Sequence, residues 1–299
     1  AYTLTLLSGS NALRDLVGNA LNGNTATPEA DNYLLQFAVD APTQALPAFT
    51  TVSLAGSLIY RSEVADRAVH GNGDTDSFTL SLDAGQTLTL YATPTLGTPR
   101  LVIELFDATE GGTSLGLIEA ASNGQTVLLQ TVAITGGNYR AEVRSLDGTG
   151  RYTLRALLNA ALEQESIGGA TNNTMASAQD LSASLITTGS DRAAVLGRFN
   201  EAAPAQDWYA IQLEAGQAAS VALTPDGGAS NPEWRLDLLD ASGTLLTSGT
   251  DVAGNLDEGI NDFVAAATGT YYLRVTGSGS GQYSLVVTRG QTISQELNN

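Results

Sequence analysis

The chain has 299 residues, no cysteine, one histidine and 31 acidic residues against 13 basic ones, all arginine, for a net charge of −18. This excludes disulfides and cysteine-ligated zinc. It also leaves no basic footprint for nucleic acid or an anionic membrane surface, and no apolar run approaches the roughly 18 residues of a membrane-spanning helix. A hard cation such as calcium, which takes carboxylate and amide oxygens, suits so acidic a chain. At about 150 residues per domain the length fits about two domains.

In chain order, residues 1–40 open on the alternating YTLTLL at 2–7 and pass through a polar stretch to NYLLQFAVD at 32–40. A proline-containing stretch, APTQALPAFT, fills 41–50. Short alternating segments follow, bounded by Gly, Asn, Asp and Ser: FTLSL at 78–82, QTLTLY at 86–91, LVIELF at 101–106, YYLRVT at 271–276 and YSLVVT at 283–288. Alternation of period two with frequent turn residues predicts an all-β sandwich or barrel.

An internal repeat organises the chain. DSFTLSLDAGQTLTLYATP at 76–94 matches DWYAIQLEAGQAASVALTP at 207–225, which sets Asp76 against Asp207 at a spacing of 131. Gly137-Asn138-Tyr139 matches Gly269-Thr270-Tyr271, and Gly150-Arg151-Tyr152-Thr153-Leu154 matches Gly281-Gln282-Tyr283-Ser284-Leu285. Upstream, Asp66-Arg67-Ala68 aligns with Asp191-Arg192-Ala193. The AGQ at 84–86 and 215–217 predicts a hairpin turn whose Gly supplies a positive φ. The Gly-x-Tyr segments at 137–139 and 269–271 start strands whose tyrosine can bury its ring and leave its hydroxyl wet, and 150–154 and 281–285 read as closing strands.

These motifs resemble the bacterial pre-peptidase C-terminal domain, a jelly-roll-like β-sandwich of secreted bacterial proteins. The second copy carries the full pattern: Asn172-Asn173-Thr174, Asp207-Trp208-Tyr209, Gly216-Gln217, Leu236 to Asp240, Gly269 to Tyr272 and Gly281 to Leu285. The first copy lacks the Asn-Asn-Thr lead-in. Residues 1–40, with Tyr2-Thr3-Leu4, Asp15, Gly18-Asn19 and Phe37, are similar to the second half of a bacterial Ig-like domain. Glu296-Leu297-Asn298-Asn299 resembles the lead-in of a further module. The expected organisation is therefore a partial Ig-like segment (1–40), two tandem jelly-roll-like β-sandwich modules (41–160 and 161–290) and a linker (291–299).

The resemblance implies calcium held by lead-in side chains and by the Asp before the aromatic strand. By position these are Glu163, Glu165, Asn172, Asn173 and Asp207, although Ile167-Gly168-Gly169-Ala170 lengthens the gap relative to the family pattern. Two Glu, two Asn and an Asp near a strand start supply most of the six to eight oxygens calcium takes. The first copy offers only Asp74 and Asp76, in GNGDTDSF. Against this, such residues also serve as solvated turn formers. Asp251, Asn255, Asp257 and Glu258 form a second acidic group, read as an exposed loop between strands.

Enzyme constellations are weak: the lone histidine, His70, sits in a Gly/Asn loop without a nucleophile-elbow motif. Trp234, after Asn231-Pro232-Glu233, reads first as core or edge-covering packing, and is the candidate ligand-stacking aromatic if it is exposed. The expected function is a non-catalytic, calcium-stabilised spacer or adhesion module of a larger secreted or cell-surface protein. The alternative is an accessory domain of a secreted protease or hydrolase that binds extracellular peptide or polysaccharide.

Overall fold

The computed structural model describes residues 2–291 apart from 10, 24–25, 27–30, 38–42, 53–55, 108–110, 187–190, 200–204, 227–233, 252–256 and 279. Asn255 and the linker residues 292–299 therefore lie outside the described residues. The chain divides into two compact units, 1–42 and 43–299. Among the described residues almost all regular structure is β, interrupted by three single-turn 3-10 helices. Among the described residues no helix is long and apolar enough to cross a membrane.

The first unit is an antiparallel pair, Tyr2–Leu6 with Tyr33–Phe37. Leu4, Leu34 and Leu35 on this pair are exposed. The Asp15 carboxylate closes a turn by accepting from the amides of Val17 and Asn19 at 3.0 and 2.9 Å.

The second unit holds two sandwiches. The first packs a sheet ordered Val127–Ala133, Thr87–Gly97, Gly150–Leu158, Tyr60–Val69, Thr50–Thr51 on one ordered Thr43–Ala45, Thr75–Leu82, Gly137–Asp147, Arg100–Phe106, Ser114–Glu119. The second repeats this order. One sheet runs Glu258–Val264, Ala218–Asp226, Gly281–Arg289, Asp191–Phe199, Ala161–Leu162, with Thr250–Asp251 beyond its first strand. The other runs Gln179–Asp180, Ala205–Leu213, Gly269–Gly277, Arg235–Leu239, Leu245–Ser248. Inward residues of each sheet pair supply the cores, as alternation predicts. Phe78, Leu88, Leu90, Ile103, Tyr139 and Tyr152 lie in the first; Phe199, Tyr209, Trp234, Leu236, Leu273 and Tyr283 lie in the second. The predicted hairpin glycines have the required backbone, with φ of 83° at Gly85 and 79° at Gly216.

The strand registers revise one part of the sequence alignment. Tyr152 lies opposite Arg67, whereas its counterpart Tyr283 lies opposite Gly197, not Arg192. The counterpart of Arg192, which faces Thr288, is Arg61, which faces Leu157, so the Asp-Arg-Ala match is out of register by five residues. A β-bulge adds one residue beyond this point, where the first register slips between Tyr152 and Leu154 and Asp66 takes a positive φ of 58°. The extra residue shifts Arg67 onto the inward position that Gly197 holds in the second copy.

The segment joining the sandwiches is tied to both. Thr87 and Asn159 bond twice, through the Asn159 amide at 2.8 Å and its side-chain oxygen at 3.2 Å. Thr89 Oγ1 donates to the Ala160 carbonyl and Gln130 Oε1 accepts from the Leu162 amide, both in the first sandwich. Ala161–Leu162 then pairs in parallel with Val195 and Leu196 of the second. A small apolar cluster of Val52, Ile59, Ala160, Ala194 and Val286 crosses the junction. Arg61 and Asp226 form an ion pair across it at 2.9 Å.

Candidate metal centre

The parallel strand Ala161–Leu162 delivers Glu163 to the open edge of the second sandwich. The Glu163 amide donates to the Leu196 carbonyl at 2.9 Å, and its side chain is buried. One carboxylate oxygen, Oε2, accepts from the Arg198 amide at 2.8 Å. The other, Oε1, accepts from the Tyr209 hydroxyl at 3.0 Å and from Asn172 Nδ2 at 3.3 Å. The residues that lengthen the gap before Asn172 are absorbed by a 3-10 turn over Glu165–Ile167, closed by Gly168 at a φ of 79°. This turn brings Asn172 back beside Glu163. Asn172 is then pinned to the strand carrying Asp207, because its carbonyl accepts from the Trp208 amide at 2.8 Å.

Asp207 lies on the same strand, 4% exposed, and accepts from the Tyr283 hydroxyl. The two hydroxyls, Tyr209 and Tyr283, stand 2.7 Å apart. Glu163 Oε1, both phenol oxygens and Asp207 Oδ2 thus form a row of four oxygens with successive separations of 3.0, 2.7 and 2.5 Å. Three such contacts require three protons, and the tyrosines carry two. The third must reside on a carboxyl group, unless a cation takes over its role.

The electrostatics agree with this count. Burial first, and the neighbouring Glu163 charge second, push Asp207 up to about 8. Burial raises Glu163 as well, against the hydrogen bonds from Arg198, Tyr209 and Asn172. Burial, with the adjacent carboxylates, drives Tyr209 far above the ordinary phenol range, and burial with Tyr209 as first neighbour does the same for Tyr283. Both phenols therefore remain neutral donors. Beside the row, Asn172 Oδ1 is buried with no hydrogen-bond partner among the described residues, an arrangement that costs about 1–3 kcal/mol when nothing compensates it.

Glu165 and Asn173 form the rim. Glu165 accepts from the Asn172 amide at 3.1 Å and from Asn173 Nδ2 at 3.0 Å. Among the described residues no three His, Asp or Glu side chains are grouped to hold a metal. The inner set is two carboxylates and an amide oxygen, all hard donors of the kind calcium takes and three of the roughly six to eight that it needs. Nitrogen or sulfur ligands for zinc or a softer metal are missing from it.

The other predicted residues are placed differently. In the first sandwich, Asp74 Oδ2 accepts from the His70 amide at 2.7 Å and closes the loop. Asp76 is 4% exposed and meets a guanidinium in place of a second carboxylate: Arg67 Nη2 lies 2.7 Å from Oδ1. Trp234 takes the core reading, and the ligand-stacking role that exposure would allow is ruled out. It is 2% exposed and packs edge-on against Phe199 and Tyr283, at 5.8 and 5.5 Å between ring centres. Its ring meets Gly277, where a Cβ would approach Trp234 Cδ1 to 2.3 Å. Glu258 is likewise buried where an exposed loop was expected, and burial with the charges of Asp251 and Asp257 pushes it up to about 7.

The hydroxyls of Tyr209 and Tyr283 escaped the sequence reading, which assigned them no role. A signal for them is present in the repeat: Phe78 occupies the position of Tyr209, and Arg67 that of Gly197.

A cleft of about 630 Å³ opens between the sandwiches. Its lining includes Arg61, Glu63, Tyr91, Arg155, Arg198 and Asp226. Arg155 bonds Glu63 at 2.6 Å and lies 5.8 Å from the centre of the Tyr91 ring.

Residues 205–277 match the family model described as the bacterial pre-peptidase C-terminal domain. No curated protein matches the chain. Among solved structures, the pre-peptidase C-terminal domain of a collagenase from Bacillus anthracis is 21% identical, with 31% of this chain and 86% of that one covered at a TM-score of 0.26. PliG from Aeromonas hydrophila, a periplasmic inhibitor of g-type lysozyme, is 17% identical, with 38% and 95% covered at a TM-score of 0.29.

Proposed function

We propose that the chain is a non-catalytic spacer or adhesion segment of a secreted or cell-surface bacterial protein, and that its second sandwich is stabilised by calcium. The carrying observation is the row of Glu163, Tyr209, Tyr283 and Asp207, which needs a protonated carboxyl when no cation is bound, beside the unpartnered Asn172 Oδ1. Glu163, Asp207 and Asn172 would hold the ion, with Glu165 and Asn173 bracing the lead-in turn over them. Calcium supplies a divalent charge that lets both buried carboxylates ionise together. The residues themselves close the sheet edge: Glu163 fixes the amide of Arg198, and Asn172 fixes the strand at Trp208. The match at 205–277 supports the extracellular setting, and calcium ions are abundant there. The two modules continue the preceding segment, read as the end of an Ig-like domain, as a tandem array.

The test is thermal unfolding of the full chain with calcium and with chelator, alongside Glu163→Gln. Calcium is expected to raise the melting temperature of the wild type and leave the variant unmoved. An unchanged wild-type transition would refute the reading.

A second reading, accessory binding of extracellular peptide or polysaccharide, is supported by the cleft and not by Trp234. Three of the 13 arginines line it on a chain of net charge −18, and junctions between domains are common ligand sites. Retention on gelatin or acidic polysaccharide, lost on Arg198→Ala, would favour it; absence of retention on a panel of both would count against it.

A further inference from the structure

The two sandwiches differ at the position of the candidate centre, and the difference is chemical. Their registers make Asp76 the counterpart of Asp207, opposite Val143 and Val275 respectively. Phe78 is the counterpart of Tyr209, and Tyr152 of Tyr283. Gln44 and Gln179, on the short parallel strands, face Phe78 and Tyr209. The first sandwich therefore keeps the outer half of the oxygen row, with Tyr152 donating to Asp76 Oδ2 at 2.5 Å. It lacks the inner half: Phe78 has no hydroxyl, and the edge beside Tyr60–Val69 carries Thr50–Thr51 in place of the strand that delivers Glu163.

Into the vacated inner half comes Arg67. Its Nη2 bonds Asp76 Oδ1 at 2.7 Å, its Nη1 reaches Gln44 Oε1 at 3.5 Å, and its guanidinium lies 6.0 Å from the centre of the Phe78 ring. The pair is well shielded, at 15% side-chain exposure for Arg67 and 6% for Asp76. In the second sandwich the same position is Gly197, where a Cβ would sit 2.3 Å from Tyr283 Cζ. No side-chain cation fits there. Charge balances in both cases, with one carboxylate against a monovalent guanidinium and two carboxylates against a divalent ion.

We infer that Arg67 is a built-in cation that replaces the metal in the first sandwich, so that the protein binds one calcium ion, not two, and only its second half answers to calcium. This rests on the calcium reading of the Glu163–Asp207 centre. Arginine suits the role because it stays charged at any working pH and forms directed bonds to a carboxylate.

The test counts calcium on the metal-free full chain by equilibrium dialysis at pH 8, and separately measures a double-mutant cycle in chelator. One ion per wild-type chain and none on Glu163→Gln are expected. Two ions on the wild type, one of them remaining on Glu163→Gln, would overturn the inference and leave the calcium reading standing, whereas a single wild-type ion that Glu163→Gln retains would overturn the calcium reading. None on the wild type would overturn the calcium reading itself, and with it the count of one. The cycle then reports on Arg67 alone. Arg67→Met and Asp76→Asn should each lower the melting temperature by the same amount with or without calcium. Together they should cost little more than either alone, since each single change strands a shielded charge. Fully additive losses, or a calcium-dependent effect of Arg67→Met, would refute the role of Arg67. Arg67→Lys, which keeps the charge, should recover most of the loss.

Discussion

Calcium entering the second sandwich should expel a proton, and the size of the effect follows from the oxygen row. Three contacts among Glu163, Tyr209, Tyr283 and Asp207 hold three protons in the metal-free chain, while the phenols account for two. The third is held with Asp207 pushed up to about 8. At pH 7 a group of that pKa is about nine-tenths protonated, so each calcium bound should release about one proton. Below pH 8 the apparent affinity should then rise about tenfold per pH unit, levelling off above it. Calorimetric titration at pH 7 in two buffers of different ionisation enthalpy reads the proton number directly. Repeats at pH 6.5 and 7.5 read the slope. Binding with no proton released and an affinity flat across this range would refute the proton count.

The metal-free chain should show the opposite trend. Asp207 holds its proton more tightly when folded than at its usual 3.8, so the stabilisation is complete below about pH 4 and is lost as pH rises toward about 8. Urea unfolding in chelator at pH 5 and pH 8 should give the lower stability at pH 8, with the gap closed by calcium. Asn172→Ala removes the unpartnered amide oxygen; calcium affinity should fall by about tenfold or more while dialysis at saturating calcium still finds one ion. Trp234→Ala should cost about 3–5 kcal/mol as a core truncation, read by urea unfolding.

The repeat made the strands legible because each hairpin and closing strand carries its own local signal: a glycine of positive φ, then alternation. Glu163, Asn172 and Asp207 were legible through the resemblance, and the structure brings those three together. The hydroxyls of Tyr209 and Tyr283 were not, because alternation shows which face a tyrosine takes but not how deep its oxygen lies. The alignment of Arg67 with Arg192 was misled by a short Asp-Arg-Ala identity five residues out of register, since Arg192 corresponds to Arg61. Only the strand pairing fixes the register, and the three-residue match carries no information about it. Trp234 was ambiguous because its neighbours Asn231 to Glu233 look like a surface turn, while the cavity between Phe199, Tyr283 and Gly277 is visible only in three dimensions.

The centre is assembled from positions 163, 172, 207, 209 and 283, so its parts come from both ends of the second sandwich. Until the closing strand Gly281–Arg289 has docked and set the Tyr283 hydroxyl against Asp207, half of the row is missing. Such a centre forms late, after the long-range pairings that make all-β topologies slow to fold. An ion bound only to the completed fold slows unfolding and leaves the folding rate almost unchanged. For this protein calcium would act as a latch closed behind the last strand, lengthening the lifetime of a sandwich already built.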